Sequence, residues 1–469
     1  MSAKNGPHGT AKVAMSAKNG NAFGPQIRSH QAAPSTSNDR PGSNVNGGTR
    51  SVQTFQYTPI RMALTTGNSQ AQQQPQGRPA PALAARVLPR SNAGLPGTSG
   101  HTKETHMALP SKESQDFLQA ILSTPSPSGF EAKLQKVIRD HIESFADETH
   151  RDVHGNQWFV LNPKAPTRVM LAGHVDEIGL MVRYVDEQGF IWVTRIGGTD
   201  AVQMWGSRVH IHTKKGPLLG IIGKRPIHST PPEERSKGAK LEDLFIDIGA
   251  KNKADAMKRV DIGDPITQIE GFARLANNLV IARGMDDRIG AFVVMEAFKK
   301  VALEQRKKKG RKCQVGVYSV GSVQEEVGLR GARTSAYAID PHVGIAVDVG
   351  PATDYPSENK KVAGDTKVGS GPVLHRGPNI NGPLAKVMES TAKKNRIPIQ
   401  ISGNGGIMGT DAGAIQVNKR GVAAALVSIP NRYMHSPVEV VSLVDVEGAV
   451  NLLAKVLMSL KTKQSFIPE

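Results

Sequence analysis

Four short runs of mainly apolar residues recur along the chain, and each run stops at a glycine or a polar residue. They cover residues 168–173, 314–323, 343–349 and 423–429. Runs of this length are typical of strands that are buried on both faces of a parallel sheet. Apolar residues at helical spacing follow at 289–303 and 443–460. The pattern predicts an α/β domain with a mixed, largely parallel sheet flanked by helices.

The middle of the chain, residues 182–280, has a different pattern. Apolar and polar residues alternate in shorter runs, such as 190–193 and 209–212, and glycine and proline are frequent. Alternation of this kind is typical of strands with one solvated face. We therefore expect a small β-rich domain at 182–280, inserted into a catalytic domain that is formed by residues 107–181 and 281–469.

Residues 1–106 differ from the rest of the chain in composition. They contain twelve Gly, ten Pro and eleven Lys or Arg, and their only acids are Asp39 and Glu104. A segment so poor in apolar residues cannot bury enough surface to offset the entropy that is lost on ordering. We therefore predict a disordered basic tail at 1–106.

The basic tail and a second basic run at 305–312 leave one alternative open, a nucleic-acid-binding protein. Aromatic residues make up only 4% of the chain, and no recognisable nucleic-acid-binding motif occurs in it. The second run directly follows a predicted helix, where the helix dipole favours cations. A nucleic-acid partner is therefore not expected.

The chain has a single cysteine, Cys313, and therefore cannot form a disulfide within itself. This is expected of a protein in a reducing compartment. No run approaches the roughly 18 to 20 apolar residues that a membrane-spanning helix needs. The first thirty residues also lack the apolar core of a secretory signal. We therefore expect a cytoplasmic protein that does not interact with a membrane.

Candidate metal ligands follow the apolar runs or precede a predicted helix. In doubly wound sheets, ligands collect outside the carboxyl ends of the strands, where side chains are held rigidly. Taken singly, each candidate has an ordinary structural explanation, such as a polar turn or a helix N-terminus. Together they offer the oxygen and nitrogen donors of a hydrolytic two-metal site. The candidates are His174, the adjacent pair Asp286 and Asp287, Glu325, Glu326, Asp348 and His435.

Two features are difficult to explain without a cation. Glu325 and Glu326 are adjacent carboxylates that repel each other, and surface turns more often use Gly, Asn or Asp. Asp348 lies within the apolar stretch 345–349. Burial of a carboxylate there would be costly unless a cation or hydrogen-bond donors were nearby.

Six stretches carry a resemblance to a known family. They are AGHVDEIGLMV (172–182), RGMDDRIG (283–290), VQEEVGLRGA (323–332), AVDVG (346–350), GTDAG (409–413) and RYMHSPVEVV (432–441). In this order they resemble metallopeptidase family 42, the tetrahedral dodecameric or glutamyl aminopeptidases, some of which have been named endoglucanases. The resemblance covers residues 107–469. It implies hydrolysis of the N-terminal peptide bond of short peptides through a water that bridges two divalent metals, zinc or cobalt.

The family pattern implies a role for each candidate ligand. His174, Asp286 and Asp348 would bind one metal. Asp286, Glu326 and His435 would bind the other, so that Asp286 bridges the two.

Five further residues match positions of the family that do not bind metal. Glu325 matches the general base, which takes a proton from the bridging water and passes it to the leaving amine. Asp176 matches the carboxylate that orients the imidazole of His174. A loop that lines the substrate pocket is matched by Gly409, Thr410 and Asp411.

The resemblance also implies partners. The insert at 182–280 is similar to a dimerisation domain, which suggests a homo-oligomer of dimers that assemble into a dodecamer and act on peptide substrates. One alternative keeps the site and changes the substrate, namely a deacylase or another amidohydrolase that acts on small amides. Peptides with free N-termini, compared with N-blocked and acylated substrates, would distinguish these two activities.

Overall fold

The computed structural model describes residues 109–235 and 237–469. The tail predicted at 1–106 therefore lies outside the described residues. The described strands are β1 (Glu148–Arg151), β2 (Gln157–Leu161), β3 (Arg168–His174), β4 (Gly179–Val185), β5 (Ile191–Ile196), β6 (Arg208–Thr213), β7 (Gly216–Gly223), β8 (Phe245–Asp247), β9 (Pro265–Gln268), β10 (Ala273–Arg274), β11 (Leu279–Ala282), β12 (Gly316–Ser322), β13 (Val343–Pro351), β14 (Val373–Arg376), β15 (Gln400–Gly403), β16 (Ala423–Asn431) and β17 (Glu439–Ser442).

The helices of the same part of the chain are α1 (Lys112–Ser123), α2 (Ala132–Ile142), α3 (Pro232–Arg235), α4 (Lys253–Met257), α5 (Met285–Arg306), α6 (Arg330–Ile339), α7 (Lys360–Ala363), α8 (Gly382–Asn395), α9 (Asp411–Gln416) and α10 (Leu443–Ser459). Two helices precede the first strand, and from α5 to β16 helices and strands alternate along the chain. The first turn of α5 is irregular, because Asp286 and Asp287 have non-helical backbone angles. This irregular turn places two acids at the start of the most deeply buried helix.

An eight-stranded sheet forms the centre of the α/β domain, in the order β1-β2-β12-β3-β13-β16-β14-β15. The four central strands, β12, β3, β13 and β16, are parallel to one another. They are formed by the four apolar runs of the sequence. Antiparallel pairs occur only toward the edges, where β1 and β2 pair, β2 joins β12, and β14 joins β16. The predicted fold class, a mixed and largely parallel sheet flanked by helices, is confirmed.

Both faces of the sheet are covered by helices. On one face, Val169 and Leu171 of β3 lie in the main core with α1, α2, α5, α8 and α10. On the other face, Met170 and Ala172 pack with residues of α6 and α9. Because successive residues of a strand point to opposite faces, a strand buried in this way must be apolar throughout. This explains why β3 appears in the sequence as a continuous apolar run.

The inserted domain is a closed barrel of six strands in the order β4-β5-β8-β7-β6-β9. Its core is separate from that of the α/β domain and includes Val182, Val209, Ile211, Ile246 and Ile266. The barrel strands begin at Gly179 and end at Gln268. The stretch 273–282 forms β10 and β11, which pair with each other. β11 also pairs with β17, so this small sheet is separate from the barrel. The insert predicted at 182–280 thus begins inside β4 and extends past the last barrel strand.

Helices long and apolar enough to cross a membrane do not occur between residues 109 and 469, residue 236 aside.

Candidate metal centre

The parallel strands bring three of the candidate regions to one edge of the sheet. His174 is the last residue of β3 and pairs with Ser322, the last residue of β12. Glu325 is three residues after Ser322, and so lies just beyond the end of β12 at the same edge of the sheet as His174. In β13, Ala346 pairs with Ala172 of β3, so Asp348 lies two residues further along, as does His174. The shared register explains why residues from distant parts of the sequence meet.

Asp286 lies between the two candidate histidines. Its Oδ1 is 3.2 Å from Nε2 of His174, and its Oδ2 is 3.1 Å from Nε2 of His435. Each carboxylate oxygen therefore faces a different imidazole. A carboxylate in this position can contact two cations at once.

The remaining candidates lie around this centre. Glu326 Oε2 is 3.7 Å from His435 Nε2. Glu325 Oε2 and Asp348 Oδ1 lie 3.8 Å and 4.0 Å from His174 Nε2. Donor atoms of His174, Glu325 and Asp348 lie within 4.8 Å of one another, and so do those of His174, Asp286 and Glu326. The structure thus brings His174, Asp286, Glu325, Glu326, Asp348 and His435 together, whereas the carboxylate of Asp287 accepts the backbone N–H groups of His174 and Gly290.

Asp176 contacts both the histidine and the glutamate pair. Its carboxylate accepts hydrogen bonds from the backbone N–H groups of Glu325 (3.0 Å) and Glu326 (3.2 Å), and from Ser128 Oγ (2.6 Å). Nδ1 of His174 lies 3.1 Å from the backbone carbonyl oxygen of Asp176 and 3.5 Å from its carboxylate. Burial opposes the charged form, but these hydrogen bonds and the charge of His174 lower the pKa of Asp176 below its ordinary value.

The carboxylates of the cluster are unfavourably crowded. Burial, followed by repulsion from Asp286, raises the pKa of Glu326 to about 9. Burial is also the main cause of a raised pKa at Glu325, to about 8, and at Asp348, where the pKa lies well above its ordinary value. Oε1 of Glu326 is buried and has no hydrogen-bond partner among the described residues. Carboxylate oxygens and imidazole nitrogens that lack other partners fit divalent cations such as zinc and cobalt.

His435 reaches the cluster from a loop between β16 and β17 and not from a strand end. It adopts a left-handed backbone conformation with φ +60°. Its Nδ1 lies 3.2 Å from the carbonyl oxygen of Gly198, in the loop that follows β5 of the barrel. A Cβ atom on Gly198 would lie 3.1 Å from the same nitrogen. The barrel therefore contributes directly to the site, a contact that the sequence does not reveal because a Gly-Gly pair is also typical of an ordinary turn.

A second contribution missed from the sequence is Glu439, the first residue of β17. Its carboxylate accepts hydrogen bonds from the backbone N–H groups of His435 (2.9 Å) and Asp286 (3.2 Å). The pKa of Glu439 is raised to about 8, mainly by burial and secondly by the negative charge of Asp286. The hydrogen bonds from the two N–H groups act in the opposite direction, because they favour the charged form. The only sequence signal is an acid inside the otherwise apolar stretch 438–441.

Of the predicted pocket residues, Asp411 lies near the cluster, because it bonds to Ser322, which pairs with His174. Asp411 is buried at the start of α9, and its Oδ2 accepts a hydrogen bond from Ser322 Oγ. Burial raises the pKa of Asp411 to about 6. Gly409 is exposed and Thr410 is half-buried.

A cleft opens next to Asp286 and His435, between the barrel and the α/β domain. Its walls include Ile178, Thr199 and Met204. The hydroxyl of Thr199 is buried without a hydrogen-bond partner among the described residues. The cleft thus combines apolar walls with a free polar group beside the cluster, as ligand-binding clefts commonly do.

Comparison with known proteins identifies the family of this chain. The model of the M42 glutamyl aminopeptidases matches residues 155–452. The chain is 35% identical over 350 residues to the lysyl aminopeptidase of Pyrococcus furiosus, which covers 74% of this chain and 97% of that protein.

Solved structures agree with this match. The TET aminopeptidase of a marine sediment Thaumarchaeota archaeon superposes with a TM-score of 0.71 at 35% identity, over 74% of this chain and 97% of that one. The TET1 peptidase of Pyrococcus horikoshii, which can assemble into a tetrahedron or a large octahedral shell, gives a TM-score of 0.66 at 32% identity, over 74% and 100%. With the family model matching more than half of its residues, the chain belongs to the M42 glutamyl aminopeptidases, a family of peptide-bond hydrolases.

Proposed function

We propose that this protein is a metal-dependent aminopeptidase that uses two divalent cations, zinc or cobalt, to remove the N-terminal residue of short peptides. The observation that carries the proposal is the position of Asp286, whose two carboxylate oxygens lie 3.2 Å and 3.1 Å from two different histidines. The family match and the similarity to aminopeptidases support the choice of substrate.

The family pattern assigns the residues that would hold each cation, and the distances are compatible with it. His174, Asp286 and Asp348 would hold one cation, and Asp286, Glu326 and His435 would hold the other. Asp286 would thus contact both. The unpartnered Oε1 of Glu326 provides a further donor atom for the second cation.

Bound cations supply Lewis acidity, which acidifies water and polarises the scissile carbonyl group. Glu325 then acts as the general base. Its carboxylate takes a proton from the attacking water, whose oxygen bonds to the carbonyl carbon. When the C–N bond breaks, the same carboxylate returns the proton to the leaving amine.

Asp176 positions the groups that take part. Its carboxylate accepts hydrogen bonds from the backbone N–H groups of Glu325 and Glu326, and so fixes the turn that carries them. From this turn Glu326 would bind a cation, whereas Glu325 would transfer protons. Contacts from Asp176 to His174 also hold the imidazole with Nε2 directed at Asp286.

The assembly is part of the proposal. The TET1 peptidase of Pyrococcus horikoshii forms closed shells, and by similarity we expect this chain to form a homo-oligomer built from dimers. Outward-facing apolar residues of the barrel, including Trp205, Leu219 and Ile221, are about half exposed and would suit such contacts.

The test is an assay of metal-stripped protein before and after addition of Zn²⁺ or Co²⁺. We expect activity on aminoacyl amides and short peptides with free N-termini only in the presence of metal, and none on N-acetylated versions of the same peptides. Hydrolysis of the acylated substrates at an equal rate would instead indicate a deacylase, and full activity after complete removal of metal would contradict the proposal.

A further inference from the structure

Glu439 is a buried carboxylate for which the proposed chemistry has no direct use. Its side chain is 1% exposed. It accepts one backbone N–H from His435 through Oε1 and one from Asp286 through Oε2. A single side chain thus holds the backbone of both residues whose side chains meet at 3.1 Å.

The position of Glu439 in the fold explains how it reaches both. β17 pairs with β11 in the antiparallel sense, and Glu439 lies opposite Ala282. From this point the chain runs forward from β11 to Asp286 and backward from β17 to His435. The two loops leave the pair of strands side by side, and the carboxylate lies between them.

We propose that Glu439 is a positioning residue that sets the separation of Asp286 and His435, and thereby the affinity of the protein for the second cation. The inference rests on the proposed two-cation site. Residues 283–285 and 436–438 do not pair as strands. The two hydrogen bonds to Glu439 therefore join the loops through their backbone, in addition to the side-chain contact between His435 and Asp286.

An ionised carboxylate suits this position because both of its oxygens accept and neither donates, and cations bound nearby would favour that ionised form. A glutamine of the same shape would turn an amide –NH₂ toward one of the two backbone N–H groups. One hydrogen bond would then be lost and two donors would face each other. Glu439→Gln is therefore a small change in volume that acts on the link itself.

The chain contains a matched control at Asp445 in α10. It is fully buried, and its two oxygens accept the backbone N–H groups of Gly369 and Gly371, each at 2.6 Å. This carboxylate also accepts two backbone N–H groups, but both belong to the loop between α7 and β14, which carries no candidate ligand. Asp445→Asn should therefore cost a similar amount of stability and leave the metal site intact.

The experiment measures Zn²⁺ binding to the metal-stripped full-length protein by calorimetry, together with thermal unfolding of the metal-free forms. We expect two Zn²⁺ per subunit in the parent. In Glu439→Gln, the affinity of one of them should fall by about 10- to 100-fold, the range found for groups that orient metal ligands. Asp445→Asn should lower the unfolding temperature comparably and keep both affinities.

The outcomes separate the two proposals. A parent that binds fewer than two Zn²⁺ would overturn the two-cation site itself. Parent-like affinities in Glu439→Gln, or an equal loss in Asp445→Asn, would overturn the positioning role alone. Should Glu439→Gln fail to fold, Glu439→Asp provides the same measurement, because its shorter side chain keeps the charge but spans the two N–H groups less well.

Discussion

The two histidines of the cluster are held in different ways. His174 ends a central strand, its side chain is 2% exposed, and Asp176, two residues away, contacts its ring. His435 lies in a loop with φ +60°, its side chain is 37% exposed, and its ring contacts the barrel through Gly198. The half of the site around His174, which we call the strand half, is fixed by the sheet. The half around His435, which we call the loop half, depends on contacts from separate parts of the fold.

For the proposed two-cation site, the difference predicts that the two cations bind with unequal affinities. Strand ends keep ligands in place whether or not metal is present. Binding of a cation there therefore costs little free energy for reorganisation of the protein. The loop half must hold its geometry through Glu439 and Gly198. We therefore expect the cation next to His435 to be the weaker one, and substitutions at the two histidines and their supporting residues should have unequal effects.

The largest effect is expected for Asp286→Ala. This residue faces both histidines, so its loss should empty both halves and reduce turnover to background. Metal content per subunit and activity on an aminoacyl amide measure the two effects. Asp116→Ala, a change of an exposed acid in α1, is the control. Retention of two cations by Asp286→Ala would show that the halves do not share a ligand.

His435→Ala should remove one cation and leave the other. The strand half keeps His174 and Asp348 together with Asp286, so we expect the zinc content to fall from two to one per subunit. His228→Ala, an exposed histidine of the barrel, should retain both. If both cations were lost from His435→Ala, the two halves would form a single cooperative unit and the comparison would not hold.

Glu325→Gln should remove neither cation. A glutamine retains the shape of the side chain but cannot take a proton, so turnover should fall by about 10²- to 10⁴-fold. The neighbouring change Glu326→Gln, at a proposed ligand, should instead reduce metal content. Elemental analysis alongside steady-state kinetics separates the two, and full activity in Glu325→Gln would contradict its role as the base.

The smallest effect is expected for Gly198→Ala. The added Cβ would lie 3.1 Å from His435 Nδ1, so the ring or the barrel loop must shift slightly. We expect the weaker cation to bind about tenfold less tightly at most, the lower end of the range for groups that orient ligands. Gly382→Ala, where an added Cβ meets nothing within 4 Å, should bind as the parent does.

The strand half is also the part that could be predicted from the sequence by physical argument. Strands buried on both faces appear as continuous apolar runs, and a polar residue at the end of such a run must lie at the edge of the sheet. His174 and the Glu325–Glu326 pair follow this rule. The fold class follows from the same four runs.

The loop half could not be derived in this way. Its geometry depends on the pairing of β11 with β17, which are more than 150 residues apart in the sequence. Glu439 is bonded to backbone groups, which leave no pattern in the side chains. For Asp286 and His435, the resemblance to a family supplied roles that spacing alone did not.

The Gly197–Gly198 pair also limits which chimeras of this protein can be built by exchanging its barrel. A Cβ atom on Gly197 would lie 2.8 Å from Ile178 Cγ2, and one on Gly198 would crowd His435. A chimera that takes its barrel from another family member must therefore keep two glycines after β5, together with a side chain no larger than isoleucine at position 178. Crossover points placed before Gly179 and after Gln268 would move the barrel as a unit, and this glycine pair would be a segment inside it that has to match the host enzyme.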